Sequence, residues 1–281
     1  MTKQTCVCFE KLKRQYSTKD CLPEGSYVYS NNKYIPIEEL QQDTQFIENH
    51  RYINITSTNV TSEELISINF SNTNLLLTKN HILYTYSRLD NKIHLKHAED
   101  LTIEDYLIVE FDKTIENNLP QLEGYTKDFL IYDLGRYVAY SNPDLSLDLK
   151  QYYKQLYDKT LNDCILKLNY SLQSKFLKGL LEEHKAFSTF NLDLAVQIYN
   201  IALRCGILPK IKVNKLNYTI SFTKKDLQKL HKNTRNSYSF YTMEISTITK
   251  ENYSGKLYSV ESDVEYFLTF ANIKLMGAVH D

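Results

Sequence analysis

The sequence predicts a mainly β unit formed by the two ends of the chain and interrupted by a mixed α/β insertion. Three observations lead there. Short runs of β-branched and aromatic residues, separated by polar turns, fill the stretch from Cys21 to Phe111. After Asn118-Leu-Pro120 the texture changes to longer segments with apolar residues three and four apart, between positions 125 and 208. From Phe240 the short-strand texture returns and runs to the end.

Each element has a local signal. Tyr27-Val-Tyr29 and Tyr34-Ile-Pro-Ile37 flank a Ser-Asn-Asn turn, which predicts a hairpin. Leu65-Ile-Ser-Ile-Asn-Phe70 and Leu75-Leu-Leu-Thr78 flank Ser-Asn-Thr-Asn and predict a second. His81 to Tyr86 and Tyr106 to Phe111 continue the strands, with a brief helical turn at His97-Ala-Glu-Asp-Leu101 between them. In the insertion, Phe176, Leu177, Leu180 and Leu181, then Leu194, Ile198, Ile201 and Leu203, mark two helices. Strand-like Lys210-Ile-Lys-Val213 and Tyr218 to Phe222 follow, then a polar stretch from Lys229 to Ser239.

Composition narrows the function classes. A chain of 281 residues is long enough for two domains, and 42% hydrophobic with 24% charged residues is globular. A net charge of −1 gives no whole-chain argument for nucleic acid or an anionic membrane, so any basic surface is local. No apolar run is long enough for a membrane span, and the charged amino terminus predicts no secretory signal. Cys6, Cys8, Cys21, Cys164 and Cys205 form an odd, irregular set that reads as free thiols in a reducing, intracellular compartment. Cys6-x-Cys8 is too short for the usual zinc spacing. With seven glycines, phosphate-cradling glycine loops are not expected, and each glycine should sit where the backbone requires one.

The chemistry-bearing residues form an ordered set: Cys21-Leu-Pro-Glu-Gly-Ser-Tyr-Val28, then Thr78-Lys-Asn-His81, then Val279-His280-Asp281. This set resembles an intein, a self-splicing element of the horseshoe-shaped Hint fold. Inteins begin with Cys or Ser in a Cys-Leu-x-x-Gly-Thr-x-Val-like stretch, carry Thr-x-x-His downstream and end in His-Asn. The stretch from Lys96 to Leu107 resembles the family's Ala-x-x-Leu-x-x-Gly-Asp segment, with Glu104 in place of glycine. Leu257 to Leu268 resembles its penultimate strand block, with Ser259 where Asp is usual and Glu265 where His is frequent. The resemblance implies an N-extein segment at 1–20, a Hint splicing unit in two parts at 21–117 and 240–281, and an insertion at 118–239.

Elementary chemistry agrees. Breaking a peptide bond without water or cofactor requires a side chain that exchanges the amide for a more reactive link, and a Cys thiolate is the best common nucleophile for it. Cys21 is expected to attack the Asp20 carbonyl in an N-to-S acyl shift. His81 suits the acid that protonates the leaving amine. Thr78 and the backbone around Asn80 are expected to orient or polarise that amide, an oxyanion-hole-like contribution of about 3 kcal/mol. His280 would assist the carboxy-terminal step, in which the last residue cyclises. Asp281 departs from the family: a carboxylate lacks the amide nitrogen that forms a succinimide. Alone, the chain is expected to shift and cleave at 20–21 but not to ligate two flanks, because the next nucleophile lies beyond it. No cofactor is implied for splicing.

The insertion carries a second resemblance. Leu177-Lys-Gly-Leu-Leu-Glu-Glu-His-Lys185 resembles the LAGLIDADG helix of homing endonucleases, with Leu134-Gly-Arg-Tyr-Val-Ala-Tyr-Ser141 as an earlier copy. In that fold the two helices pack through small residues, and an acid at each helix end binds a divalent metal over DNA. Gly135 and Gly179 keep the close-approach positions. Tyr140 and His184 replace the acids, and neither offers the carboxylate oxygen that Mg²⁺ prefers; Mg²⁺ is implied only for an active endonuclease. Residues 204–235 hold Arg204, Lys210, Lys212, Lys215, Lys224, Lys225, Lys229, Lys232 and Arg235 against Asp226. This is a phosphate-binding pattern and equally that of a solvated face. The expected partners are the flanking exteins, with double-stranded DNA at 204–235 a further candidate, no membrane, and a monomeric state. The alternatives are a site-specific homing endonuclease on a Hint scaffold, and an inactive relic.

Overall fold

The computed structural model describes residues 20–30, 33–45, 50–71, 73–111, 115–140, 145–214, 217–232, 240–264 and 266–276. Before the insertion lie β1 (Leu22–Pro23), β2 (Tyr27–Ser30), β3 (Lys33–Pro36), β4 (Tyr52–Phe70), β5 (Thr73–Thr78), β6 (Ile82–Ser87), β7 (Lys92–His97) and β8 (Tyr106–Val109). The insertion contributes α1 (Lys127–Tyr140), α2 (Leu147–Leu156), β9 (Tyr157–Asp158), β10 (Thr160–Leu161), α3 (Asp163–Leu166) and α4 (Tyr170–Leu180). It continues with β11 (Ala186–Thr189), α5 (Leu192–Arg204), β12 (Lys210–Asn214), β13 (Asn217–Ser221) and α6 (Lys224–Lys232). After it come β14 (Tyr241–Glu244), β15 (Thr247–Ser262), β16 (Tyr266–Leu268) and β17 (Lys274–Met276).

The two ends of the chain do build common sheets. One has the order β1-β15-β4-β5, and the other runs β14-β8-β6-β17-β16 with β7 also paired to β6. The predicted hairpins are β2–β3, where Tyr29 faces Tyr34, and β4–β5, where Leu65 faces Thr78. Their apolar residues fill the core: Val28, Leu65, Ile68 and Leu77 are fully buried.

Two features differ from the sequence expectation, each for a physical reason. After the insertion β14, β16 and β17 are short as the texture predicts, but β15 is one long strand: it pairs with β4 from Thr247 opposite Asn69 to Ser262 opposite Tyr52. Residues 56–59 of β4 are exposed, so this ribbon lacks the apolar alternation that announces a strand. It is stabilised by cross-strand backbone bonds, with a register shift between Tyr253 and Gly255. Part of the polar stretch is helical, in α6, which starts on a reciprocal cap. Asp226 accepts from the Thr223 backbone N–H at 2.8 Å, and the Thr223 hydroxyl accepts from the Asp226 N–H at 3.2 Å.

In the insertion, helix starts are set by Asn side chains: Asn169 accepts from the Leu172 N–H and Asn191 from the Leu194 N–H. α1 and α4 bury facing stripes, Leu130, Leu134 and Val138 against Phe176, Leu177 and Leu180. β11, β13 and β12 form a three-stranded antiparallel sheet. Every residue of α5 from Leu194 to Leu203 is buried, the signature of a helix packed on all sides. It contacts β3 as well as elements of the insertion, and one continuous apolar core spans both units.

Candidate active site

β1 lies against β15, with Leu22 opposite Tyr258 and Pro23 opposite Leu257, and this pairing fixes Cys21 at the edge of a sheet. It also brings Ser259 to the Cys21 end of the ladder. Thr78, the last residue of β5, grips Cys21 through the backbone on both sides. The Cys21 N–H donates to the Thr78 hydroxyl at 2.9 Å, and the Thr78 N–H donates to the Cys21 carbonyl at 3.1 Å. The Thr78 hydroxyl also donates to that carbonyl at 3.3 Å. The N–H held by Thr78 belongs to the Asp20–Cys21 peptide, so the hydroxyl sits on the amide expected to break.

The turn Thr78-Lys-Asn-His81 carries the histidine back under the same strand end. The His81 N–H donates to the Thr78 carbonyl at 3.0 Å and closes the turn. From the other side the Ala98 N–H donates to the His81 carbonyl at 2.8 Å, and the His97 ring bonds the Asn80 carbonyl at 2.7 Å. His81 is buried, with its ring edge-on to Phe267 of β16. In the segment resembling the Gly-Asp block, buried Asp105 caps its own turn at Thr102 and holds Lys96 at 2.7 Å.

The Cys21 thiol is buried in an apolar cluster with Leu65 and Leu257, flanked by Val60, Leu76 and Tyr253. Burial pushes its pKa up to about 12, with the negative charges of Asp20 and Glu63 adding to the effect. The resting thiol is therefore protonated at neutral pH. Glu63 belongs to no motif of the sequence, and only its position marks it. It lies two residues before Leu65 on β4, so it shares that residue's face of the strand.

His280, Asp281 and Glu265 lie outside the described residues, as do Cys6 and Cys8 and residues 1–19 of the N-extein segment.

In the insertion, α1 and α4 cross at two glycines. A Cβ on Gly135 would meet the Phe176 carbonyl and come within 2.8 Å of the Leu180 nitrogen, and one on Gly179 would meet the Tyr132 carbonyl. Only hydrogen at both positions allows this backbone approach. Tyr140 and His184 come together at the carboxy-terminal ends of the pair, ring centroids 6.2 Å apart, and the Tyr140 hydroxyl accepts the Glu183 N–H at 3.1 Å. Among the described residues no group of three or more His, Cys, Asp or Glu is placed to hold a metal ion. The basic stretch is divided: Lys210 and Lys212 are exposed on β12, and Lys224, Lys225 and Lys229 on α6. Arg204 turns back to the Leu168 carbonyl at 3.4 Å. Lys215 and Arg235 lie outside the described residues, and so does the side chain of Lys232. No helix among the described residues is long and apolar enough to cross a membrane.

No protein-family model matches the sequence, and no curated protein matches it. Among solved structures, the chain is similar to an Ssp DnaB mini-intein variant, with a TM-score of 0.39 and 9% identity over 93% of this chain and 95% of that one. It is similar to the transcription factor IIB Mvu mini-intein, with a TM-score of 0.31 and 11% identity over 89% of this chain and 70% of that one. It is also similar to a splice-inactive variant of the AceL NrdHF class 3 split intein, with a TM-score of 0.35 and 9% identity over 93% and 99%.

Proposed function

We propose that the chain is an intein, a single-turnover self-processing element. The Cys21 sulfur attacks the carbonyl carbon of Asp20, the C–N bond to Cys21 breaks, and a thioester joins Asp20 to the sulfur. The departing nitrogen takes a proton from His81, and the thiol proton replaces it, so atoms and charge balance. The observation that carries this reading is the Thr78 hydroxyl on the Asp20–Cys21 N–H at 2.9 Å, with His81 closing the same turn. Transesterification to a nucleophile beyond the chain and cyclisation of Asp281, assisted by His280, complete the sequence of steps. The partners are the flanking extein segments, and the location is intracellular, following the host protein. Splicing needs no cofactor.

The insertion is read as a degenerate LAGLIDADG domain. The glycine crossing of α1 and α4 supports it, and Tyr140 with His184 in place of acids supports the loss of strand cleavage and of any Mg²⁺ requirement. Lys210 and Lys212 on the exposed face of β12 offer a residual contact to the phosphates of double-stranded DNA.

The decisive experiment incubates the folded chain with a thiol and follows fragments by gel and mass spectrometry. Release of residues 1–20 from the parent but not from Cys21→Ala is the expected result. An intact, folded parent chain overturns the reading. Nicking of a host-gene target in Mg²⁺ or Mn²⁺ would instead favour the endonuclease alternative; none is expected.

A further inference from the structure

The turn Thr78-Lys-Asn-His81 is also the junction between the two sheets built by the chain ends. Thr78 ends β5, in the sheet that holds β1 beside Cys21, and His81 immediately precedes β6, in the other sheet. Only Lys79 and Asn80 lie between them, so this short link sets how the Thr78 hydroxyl and the His81 ring stand to each other. All four carbonyls of the turn accept hydrogen bonds, three of them from the consecutive residues His97, Ala98 and Glu99. The Thr78 carbonyl takes the His81 N–H at 3.0 Å, Lys79 the Glu99 N–H at 3.0 Å, and His81 the Ala98 N–H at 2.8 Å. The Asn80 carbonyl takes Nδ1 of the His97 ring at 2.7 Å, the one bond of the set made by a side chain. A carbonyl oxygen only accepts, so Nδ1 carries the hydrogen. The Asn80 carbonyl and the His81 N–H are the two ends of one peptide plane. With Thr78 on one end and His97 on the other, the plane is fixed, and with it the direction in which the His81 side chain leaves the backbone. His97 is held in turn, because it ends β7 opposite Ile82 of β6 and is followed by fully buried Ala98.

We propose that His97 is a positioning residue for the amino-terminal step, which through the Asn80 carbonyl holds His81 in the orientation that serves the amide bonded to Thr78. A proton donor must stand within hydrogen-bond reach of the departing nitrogen, and a misplacement of about 1 Å costs about two orders of magnitude in rate. Supporting hydrogen bonds of this kind are what keep an acting side chain within that tolerance. The His97 side chain is exposed, and the backbone bonds from Ala98 and Glu99 do not depend on it. Loss of its donor therefore loosens one peptide plane and leaves the sheet junction tied. The inference rests on the splicing reading.

The test compares the full parent chain with His97→Leu, which removes the donor, and His97→Asn, whose Nδ2 branches from the same side-chain carbon as Nδ1 of histidine. Thiol-induced cleavage at Asp20–Cys21 is measured in single turnover, with a urea midpoint for each chain. Expected is a loss of about tenfold or more for His97→Leu, with His97→Asn within about threefold of the parent and the midpoints close together. Amide exchange at His81 should quicken in His97→Leu and not in His97→Asn, while exchange at buried Leu77 and Leu83 stays unchanged. Cleavage of His97→Leu at the parental rate overturns the proposal. So does equal slowing of both variants, which would assign the ring and not its donor, and so does a slowing that follows a fallen urea midpoint, which would assign His97 to folding. Should His97→Leu not fold, His97→Ala is read by the same comparison. A parent that fails to cleave refutes the splicing reading and the proposal with it, whereas a parent that cleaves no faster than His97→Leu refutes the proposal alone.

Discussion

Thr78 and Cys21 exchange backbone and side-chain bonds in both directions: the Thr78 hydroxyl accepts the Cys21 N–H at 2.9 Å, while the Thr78 N–H donates to the Cys21 carbonyl at 3.1 Å. A hydroxyl in this place fixes the orientation of the Asp20–Cys21 peptide relative to the thiol. The backbone bond would survive loss of the side chain, so orientation and fold are separable here.

Thr78→Ala is therefore expected to slow amino-terminal cleavage by about two orders of magnitude with little change in folding, because one polar contact on the reacting amide is lost. Thr78→Ser, which keeps the hydroxyl, should stay within about tenfold of the parent. Single-turnover cleavage in thiol measures both; equal rates for Ala and Ser would deny the hydroxyl a role.

The pH dependence follows from the thiol. With its pKa pushed up to about 12 by burial and by Asp20 and Glu63, the thiolate fraction rises about tenfold per pH unit through neutrality, and the cleavage rate should rise with it only while His81 still carries the proton it delivers to the leaving amine. Stability responds in the opposite sense. An unfolded thiol ionises near 9.0 while the folded one does not, so this group's contribution is complete below that pH and is lost as pH rises toward about 12. Glu63→Gln removes one negative charge, lowers the thiol pKa and should increase cleavage severalfold at pH 7 to 8. Alkylation of Cys21 by iodoacetamide across pH reads the shift directly; an unchanged profile would remove Glu63 from the site.

Gly179 and Gly135 are expected to be the least replaceable residues of the insertion. Gly179→Ala forces a methyl group onto the Tyr132 carbonyl of the facing helix, which is backbone and cannot swing aside. A destabilisation of about 3 kcal/mol is expected, read as a lower urea midpoint at unchanged slope. Gly25→Ala meets no atom within 4 Å, and its cost comes only from φ at +82°. It should be the milder change, about 1 kcal/mol.

For the terminal step, an amide nitrogen is a competent nucleophile for five-membered ring closure, whereas a carboxylate must form an anhydride. Asp281→Asn, in a chain extended by a nucleophile and a short C-extein, should splice faster than the parent. Equal rates would show that another step limits the reaction.

Elements with local signals were legible in the sequence. The β2–β3 and β4–β5 hairpins could be read from turn chemistry, while Cys21, Thr78 and His81 were singled out together by their resemblance to a family's motifs. Gly135 and Gly179 were singled out by the resemblance to a helix-pair motif, and the backbone contact of α1 with α4 gives the reason a Cβ is not tolerated there. What depends on distant partners came from the folded chain. The long β4–β15 ribbon is polar on both faces where it is exposed, so no periodicity marks it. It pairs positions as far apart in the chain as Tyr52 and Ser262, and the side chains of Glu64 and Lys250 meet across it at 2.8 Å. The high pKa of Cys21 comes from burial among residues such as Leu65 and Leu257, then from the charges of Asp20 and Glu63, and nothing in the sequence brings Leu65, Leu257 and Glu63 to the thiol. Nothing in the sequence ties the His97 ring to the Asn80 carbonyl, because that bond is specified by where the end of β7 meets the turn after β5. A hydrogen bond needs its partner within about 3 Å, and tertiary packing supplies that distance.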